Sequence, residues 1–520
     1  MDTKGKPTAS QLWTQYRDEN IVRKCEQFAR FTLPSLMVDP LQSGTQEIEH
    51  DFQSVGAVLT NNLSSKLVSA LFPTGVPFFK NTVTQELKRA AAERSVDDQM
   101  LASMLAQVDR DAAERLFLNG ALAKLTRVIK LLAVTGNVLT YRDPQTSKFV
   151  VWSIRSFVVR RTAAGEFRCV VLKQFFKFDE LPQAVQADYN AKNPGRLKPD
   201  SQVDYFTVIE KQPGEVNPRV VVWNEVDGIR VGPESSYPEH LSPWILATWN
   251  LDDGQHYGTG LVEDFTGDFA KLSLVSEQLG LYELEALSIL NLVDESAGGV
   301  IDEYQEADTG DYVRGKTAGI TSYERGDYNK IAAIRESLGE VIQRLSQAFM
   351  YTGNTRNAER VTAEEIRALA REAEAALGGV YSLLAESLQT PLAYLTMAEV
   401  SPQLMQGLVS KTFKPSIITG TQALSRAVAV QNLLAATQEA AAVVPALVQL
   451  DKRIDSAKVM NMIFNARSVD TSLLFKDPEV LAAEAKAAED AAAQAQEASS
   501  AMLLQNGQQV SQTINQLGTS

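Results

Sequence analysis

One short stretch of the chain carries the residue types of a phosphate-binding loop. Residues 310–317, GDYVRGKT, match G-x-x-x-x-G-K-[ST], a pattern in which backbone N–H groups and a lysine surround phosphates. That chemistry needs a helix that starts at the Lys-Thr pair and points its N-terminus at the ligand. The residues that follow, AGITSYERGDY, are instead β-prone and broken by glycine. We therefore predict a β-hairpin, with an ATPase or a nuclease kept as the alternative function.

Other residues suited to catalysis are scattered. His50, His240 and His256 show neither an H-E-x-x-H pattern nor cysteine partners at the spacing of a zinc site. No G-x-S-x-G occurs, and no cluster of carboxylates points to a nuclease. We predict no metal, no cofactor and no enzymatic activity.

Composition and charge narrow the class of protein. A chain of 520 residues, 44% hydrophobic and 22% charged, is typical of a soluble protein with several modules. Two cysteines, no signal peptide and no apolar run of about 18 residues indicate assembly in a reducing cytoplasm. The net charge of −14 is opposite to the basic footprint of a DNA-gripping protein. Many intracellular proteins are acidic, and from charge alone that ordinary explanation is preferred.

The longest helical pattern runs from Thr362 to Val400. Apolar residues recur there in steps of three and four, and Thr362 and Glu365 form a T-x-x-E capping box. Gly378-Gly379 and Pro391 interrupt the pattern, the two glycines at a cost of about 2 kcal/mol relative to alanines. The stretch predicts a long helix with a kink, which is either an ordinary bend or a required one. We expect alanine at both glycines to straighten and stabilise the helix.

Two further helices come before this one. Apolar stripes predict helices over 259–290 and 330–350, with short β-prone runs between them and a polar loop, YTGNTRNAER, after them. We expect the stripes to pack both within one chain and between neighbouring copies. Their residues are Leu261, Phe265 and Leu272 on the first helix and Ile334, Leu338 and Leu345 on the second.

The rest of the chain predicts a mainly α-helical α+β fold. One helix is expected over residues 8–33, and helical patterns continue to about Val134. Residues 148–250 read as an antiparallel sheet with a hairpin at Asp227-Gly228. Helices return over 421–465 and 478–504, and a polar tail follows.

The run NAERVTAEEIRALAREAEAALGGVYSLLAESLQTPL resembles the hallmark segment of a known family. The family is that of the portal proteins, or head-to-tail connectors, of short-tailed double-stranded DNA phages of the autographivirus type. Four other stretches are similar to it: CEQFARFTLPSL, NNLSSKLVSALFP, LLAVTGNVLTY and PSIITGTQALSR. The resemblance covers nearly the whole chain, and only the last fifty or so residues match by composition alone.

The resemblance implies a portal fold and a ring of twelve copies at one vertex of the capsid, around double-stranded DNA in transit. It divides the chain into a wing (1–258, β-rich over about 148–250), stem helices (259–290 and 328–350), a clip (291–327), a channel loop (351–361), a long kinked helix that returns to the wing (362–420), crown helices (421–504) and a flexible tail (505–520).

The resemblance also implies partners and site residues. The clip, with Gly298, Tyr304, Tyr312, Arg314 and Lys316, would dock the terminase large subunit, which supplies the ATP-driven force, and later the tail adaptor proteins. Capsid, scaffolding and internal core proteins are the other expected partners of this virion component, which is assembled in the host cytoplasm.

The channel loop would present Asn354, Arg356, Asn357 and Arg360 to the DNA. The two arginines would touch passing phosphates, or would pair with carboxylates such as Glu359 and Glu364 and only stiffen the loop.

Overall fold

The computed structural model describes most of the first 401 residues. The described ranges are 7–39, 48–73, 77–82, 98–117, 120–212, 218–286, 289–293, 301–306, 312, 320–324, 328–351, 372, 375, 377, 379–401, 416–418 and 459. Residues from Arg426 to Ser520 form a compact unit of their own. Apart from Val459, that unit lies outside the described residues, and with it nearly all of the predicted crown and tail.

The described part of the chain is a mixture of helices and strands in which helices dominate. The helices are α1 (Ala9–Tyr16), α2 (Glu19–Phe31), α3 (Val55–Leu71), α4 (Asp98–Leu116), α5 (Ala121–Thr135), α6 (Gln183–Lys192), α7 (Leu261–Asp264), α8 (Thr266–Ala286), α9 (Ile301–Glu306), α10 (Tyr328–Ala348), α11 (Val380–Leu384) and α12 (Thr390–Val400). A π-helical turn, Ala385–Gln389, joins the last two.

The strands form four antiparallel groups. They are β1 (Lys80–Thr82), β2 (Asn137–Arg142), β3 (Phe149–Trp152), β4 (Phe157–Arg161), β5 (Phe167–Lys177), β6 (Gln202–Gln212), β7 (Arg219–Val226), β8 (Ile229–Pro238), β9 (Trp244–Thr248), β10 (Ile289–Val293), β11 (Ile320–Glu324) and β12 (Ser416–Ile418). The five-stranded sheet has the order β4-β5-β6-β7-β8, and β3-β2-β9 form a second sheet. The pairs β1-β12 and β10-β11 are two further, separate two-stranded sheets.

Side chains cover both edges of the five-stranded sheet. On β4, the backbone N–H of Arg161 donates to His256 Nδ1 at 3.3 Å, and that of Val159 donates to Tyr257 Oη at 3.3 Å. On β8, the N–H of Gly232 donates to Asp188 Oδ2 at 2.9 Å. Exposed edges recruit further strands, so these contacts keep the sheet from being extended by another chain.

One large apolar core joins the helices to the smaller sheet. It gathers buried side chains from α2, α3, α5, β2, α8, α10 and the segment 380–400. Two smaller clusters lie elsewhere, one where α1 covers a face of the five-stranded sheet and one beneath α6. The kinked segment is therefore part of the main body of the protein.

Several strands follow the sequence pattern closely. Both residues of the Asp227-Gly228 turn have positive φ, 51° and 73°, which a tight two-residue hairpin requires. The expectation of one inserted sheet was wrong, because β9 pairs with β2 and the two belong to the smaller sheet. Helix α6 had no distinct sequence signal and was not predicted.

Two predicted helices end or break earlier than expected. The helix predicted over residues 8–33 is divided into α1 and α2, because the Asp18 carboxylate accepts from the N–H groups of Asn20 and Ile21 and caps a new helix. The helix predicted over 259–290 ends at Ala286, and β10 already begins at Ile289.

Candidate functional site: the paired helices and the segments at their ends

Helices α8 and α10 lie side by side and run in opposite directions. Arg344 Nη2 is 2.7 Å from Asp268 Oδ1 near the start of α8, and Arg335 Nη2 is 2.7 Å from Glu283 Oε1 near its end. Lys271 Nζ donates to Ser337 Oγ at 3.0 Å between them. From Asp268 to Glu283 along α8, the contact partners on α10 have decreasing residue numbers, so the two helices are antiparallel.

The facing sides of this pair are apolar and buried. Phe349 meets Phe265 and Phe269 edge to face, with ring centroids 6.2 Å and 5.8 Å apart. Leu272 and Leu345 are 2% and 0% exposed. The stripes predicted on these two helices thus pack within one chain, where Leu261, Leu272, Leu338 and Leu345 are buried. Their packing between neighbouring copies stays a prediction.

A second apolar face of α8 is exposed. Leu274, Leu281 and Leu284 are 60%, 57% and 69% exposed. Successive residues of a helix turn by roughly 100°, so these three leucines fall on one side, away from Leu272 and Glu283 on the side that faces α10. Helix α8 therefore carries large apolar side chains on two sides; among the described residues α10 covers one of them, and the other also bears Glu277, Gln278 and Glu285. We call Leu274, Leu281 and Leu284 the outer leucine face.

Glycines allow the chain to cross itself closely just before α8. A Cβ at Gly136, which has a φ of 72°, would lie 2.5 Å from the carbonyl oxygen of Gly258. The Asn137 side chain fixes this crossing, because its Oδ1 accepts from the Gly258 N–H at 2.8 Å and its Nδ2 donates to the Gly258 carbonyl at 2.7 Å. The stretches LLAVTGNVLTY and GTGLVED thus meet through their backbones and anchor the base of the paired helices.

The end of α10 is held by α3. Lys66 Nζ donates to the Met350 carbonyl oxygen at 2.6 Å, and Asn62 Nδ2 donates to the same oxygen at 3.2 Å. Met350 has a φ of 56°, so the chain turns sharply here. Lys66 also lies 3.5 Å from Glu372. One lysine therefore contacts the chain both before and after residues 352–371.

Most of the predicted channel loop lies within that interval. Tyr351 belongs to the described chain, whereas Asn354, Arg356, Asn357 and Arg360 lie outside the described residues. The predicted capping box, Thr362 and Glu365, lies outside them as well. The roles of these six residues stay predictions.

The predicted kink coincides with two irregular features of the backbone. Gly379 has a φ of 93°, a left-handed conformation that ends the preceding helical pattern. A π-helical turn then precedes Thr390, with Pro391 in the first turn of α12, where its missing N–H costs little. Gly378 lies outside the described residues.

Buried polar contacts lock the kinked segment onto α3 and β2. Tyr381 Oη donates to the Ala70 carbonyl at 3.0 Å, and the Gln389 side chain donates to the Leu71 carbonyl. Near the end of α12, Glu399 pairs with Arg142. The sequence analysis did not predict these contacts. Their only signal was a polar side chain inside an otherwise apolar stretch, which does not reveal its partner.

The predicted clip contains a short antiparallel ribbon. Strand β10 pairs with β11 from Ile289–Glu324 to Val293–Ile320. Tyr304 lies in α9, and Tyr312 is fully exposed. Gly298, Arg314 and Lys316 lie outside the described residues. Strand β11 begins three residues after Thr317 in the GDYVRGKT stretch, at a place where a phosphate-binding loop would continue as a helix.

The described residues offer no metal site. No group of three or more His, Cys, Asp or Glu side chains among them is placed to hold an ion. His256 instead accepts a backbone hydrogen bond, and burial together with Arg160 and Arg161 lowers its pKa. Burial raises the pKa of the Cys25 thiol to about 12, which makes it unreactive. Within the described part of the chain, no helix is long and apolar enough to cross a membrane.

The chain is similar to known proteins over most of its length. A family model described as "Bacteriophage head to tail connecting protein" matches residues 6–474. The portal protein of Pseudomonas phage phiKMV is 51% identical over 499 residues, which are 96% of this chain and 97% of the relative. The portal protein of Escherichia phage T7 is 30% identical over 465 residues, 86% of this chain and 84% of the relative.

Among solved structures, a chain of "Neck of empty GTA particle computed with C6 symmetry" aligns with 64% of this chain and 79% of its own length. The TM-score is 0.31 and the identity 12%.

Proposed function

The chain belongs to the bacteriophage head-to-tail connecting protein family and has the structural role of a portal, and from this premise we propose that α8 and α10 build the wall of a ring-shaped DNA channel. The family resemblance in the sequence is confirmed by the family model and by the phiKMV and T7 relatives. One observation carries the proposal about the wall: the outer leucine face of α8 has no covering element among the described residues of its own chain.

The energetics favour a neighbouring copy as the cover. Burying a leucine side chain stabilises a protein by about 1.5–3 kcal/mol, and α8 exposes three of them on one side. A chain that assembles into a closed ring gains this energy at every subunit contact, because each copy presents the same face to the next. The buried contacts of Phe269 and Leu272 with α10 and Phe349 meanwhile fix the orientation of α8 and hence of this face.

Two glycines of α8 support the same interface. A Cβ built at Gly267 or at Gly280 meets nothing within 4 Å, so packing within the described chain gives no reason for glycine there. Glycine inside a helix costs about 1 kcal/mol relative to alanine. Both residues flank the outer leucine face at helical spacing. A helix of the next copy that approaches closely at these points would account for their presence.

The remaining parts of the fold follow from the same proposal. Residues 1–258 form the wing, 259–290 and 328–350 the stem, 291–327 the clip, 351–361 the channel loop, 362–420 the long kinked helix and its return to the wing, and 421–504 the crown, followed by a tail at 505–520. Twelve copies surround double-stranded DNA at one capsid vertex of the virion, after assembly in the host cytoplasm.

The proposed clip is the docking surface for the terminase large subunit and then for the tail adaptor proteins. Tyr312 supports this role, because a fully exposed aromatic side chain is typical of a residue that anchors a protein partner. Gly298, Tyr304, Arg314 and Lys316 share the proposed surface. Capsid, scaffolding and internal core proteins contact the wing and crown.

This proposal assigns no catalytic activity to the chain. The β-strand that begins at Ile320 argues against nucleotide binding by GDYVRGKT, so we expect no ATP turnover by the purified protein. The force for packaging then comes from the terminase, and the acidic chain, with a net charge of −14, provides a passage to which DNA adheres weakly.

A charge placed on the outer leucine face tests the ring contact. Leu281→Glu should shift the purified protein from a large closed oligomer to monomers or small fragments, since a buried unpaired carboxylate is strongly unfavourable. Leu383→Glu is the matched control, because Leu383 is 47% exposed on a different helix. Sedimentation velocity and negative-stain images distinguish the outcomes. Rings of Leu281→Glu that are as abundant as wild-type rings would contradict the proposed contact.

The channel loop needs a separate experiment. Arg356→Ala with Arg360→Ala should leave rings intact but let packaged DNA leak from heads, because each phosphate contact contributes about one unit to the salt dependence of binding. Heads of the double variant that retain the full genome would assign the arginines to stiffening of the loop through pairs with Glu359, Glu364 or a neighbouring carboxylate.

A further inference from the structure

Several stretches of this acidic chain contain no acidic residue, and one of them is rich in cations. Residues 115–142 hold no aspartate or glutamate, although the whole chain has 64 of them. The same stretch has five cations: Arg115, Lys124, Arg127, Lys130 and Arg142. It spans α5 and the whole of β2, so its charge belongs to rigid elements of the fold.

Two of these five cations share one buried carboxylate. Arg142 and Arg115 both reach Glu399, at 2.6 Å and 3.4 Å. Lys124, Arg127 and Lys130 have no carboxylate within ion-pairing distance among the described residues. Among the described residues, the three cations of this stretch that have no carboxylate partner therefore all lie on α5.

These three side chains share one face of the helix. A step of three residues rotates the position by roughly 60° from the preceding one and advances it by about 4.5 Å along the axis. Lys124 and Arg127 are exposed and Lys130 is half-buried. Burial lowers the pKa of Lys130, because its cation is partly removed from water without a counter-charge. An anion from outside the chain would supply that charge.

We propose that this basic α5 face, Lys124, Arg127 and Lys130, binds the phosphate backbone of duplex DNA. Duplex DNA carries about one negative charge per 1.7 Å of its axis, so three cations spaced along a rigid helix can each meet a phosphate. The contact requires no base recognition and is therefore independent of sequence. It is distinct from the channel loop and does not depend on the proposed leucine contact.

The other side chains of the face favour DNA over an acidic protein. A protein interface is anchored by large apolar or aromatic groups that become fully buried. Among the described residues of α5, Leu122, 40% exposed, is the one exposed large apolar side chain, and its exposed neighbour Ala123 is small. A surface with charge and almost no apolar anchor is typical of binding governed by counter-ion release.

The test measures the salt dependence of DNA binding by the full-length protein. Fluorescence anisotropy of a labelled random-sequence duplex gives the apparent affinity over a series of NaCl concentrations. The variant K124Q/R127Q/K130Q should lower the slope of log affinity against log salt by about 0.9 for each cation that meets a phosphate. The control R168Q/K177Q/K198Q removes the same charge from exposed positions outside α5 and should leave the slope near the wild-type value.

Two results would overturn the proposal. One is an unchanged slope in the α5 variant, and the other is an equal decrease in the control, which would make the effect one of net charge. Sedimentation of the same samples detects a third outcome, in which the α5 variant loses rings but keeps its DNA binding. That outcome would identify the face as a contact to an acidic surface of another copy and would also contradict the proposal. Leu281→Glu, which tests the ring contact, should keep the DNA affinity of each chain.

Discussion

Arg142 and Glu399 form a bidentate ion pair inside the protein, with Nε 2.6 Å from Oε1 and Nη2 2.9 Å from Oε2. The side chains are 0% and 5% exposed. The Ser147 hydroxyl donates to the same carboxylate at 2.8 Å. Because Arg142 ends β2 and Glu399 lies in the last turn of α12, the pair fixes the end of the kinked segment to the smaller sheet.

Removal of one partner of this pair should destabilise the protein strongly. Glu399→Gln leaves the Arg142 cation buried without its counter-charge, at a cost of about 3–5 kcal/mol. We expect a lower urea midpoint in tryptophan fluorescence. Glu386→Gln, at an exposed position of the same segment, should unfold like the wild type. Equal midpoints for both variants would show that the ion pair contributes little.

Asp109 should make stability depend on pH. Burial raises the pKa of its carboxyl to about 6, although hydrogen bonds from Asn81 oppose the shift. The unfolded chain therefore releases this proton at a lower pH than the folded chain does. The contribution of Asp109 to stability is fully present below about pH 4 and is lost as the pH rises through about 6, at about 1.36 kcal/mol per unit of pKa difference.

The variant Asp109→Asn isolates this effect from that of other carboxylates. Asp143, Asp188 and Asp268 have lowered pKa values and give slopes of the opposite sign in both proteins. We expect the urea midpoint of the wild type to fall relative to the variant between about pH 4 and 7. Parallel curves over that interval would mean that Asp109 does not titrate there.

The glycine crossing below α8 should tolerate no side chain. A Cβ at Gly258 would overlap the Asn250 carbonyl oxygen and lie 3.0 Å from Thr248 Cβ. Gly258→Ala should therefore cost about 1–3 kcal/mol, as overpacking does, with a matching decrease in thermal stability. Gly339→Ala, at a helical position where a Cβ meets nothing within 4 Å, should gain up to about 1 kcal/mol. Similar melting curves for the two variants would argue against close backbone contact.

Local patterns predicted the elements of the described chain better than they predicted its contacts. Alternating apolar residues gave the strands around the Asp227-Gly228 hairpin, because strand burial and turn conformation are both set by nearby residues. The assignment of β9 to a separate sheet depends instead on pairing with β2, more than a hundred residues earlier. No local pattern contains that information.

In the candidate site, too, the local patterns were predicted and the long-range contacts were not. The apolar stripes predicted on the paired helices exist, and Leu272 and Leu345 pack within the chain as expected. The outer leucine face was overlooked because a helix that is apolar on two sides has no clear amphipathic period. The contact of Lys66 with Met350 and Glu372 could not be predicted either, since it joins residues about three hundred positions apart.

The backbone conformation of Gly379 contradicts one expectation drawn from the sequence. Alanine at Gly378 and Gly379 was expected to stabilise a straight helix by about 2 kcal/mol. Because Gly379 has a φ of 93°, an L-residue there is strained, and nothing within 4 Å of an added Cβ offsets the strain. That expectation was wrong for Gly379. Gly379→Ala should instead destabilise the kinked segment by about 1–2 kcal/mol.

A comparison of two substitutions separates backbone strain from side-chain volume at this position. Asparagine adopts positive φ more readily than alanine does, so Gly379→Asn should lower the urea midpoint less than Gly379→Ala, although its side chain is larger. Hydrogen exchange of the amides in 380–400 should increase in the same order. If both variants match the wild type, the turn at Gly379 is free to straighten and the kink is not needed to hold the segment against α3. If asparagine is the more harmful substitution, volume rather than backbone conformation limits this position.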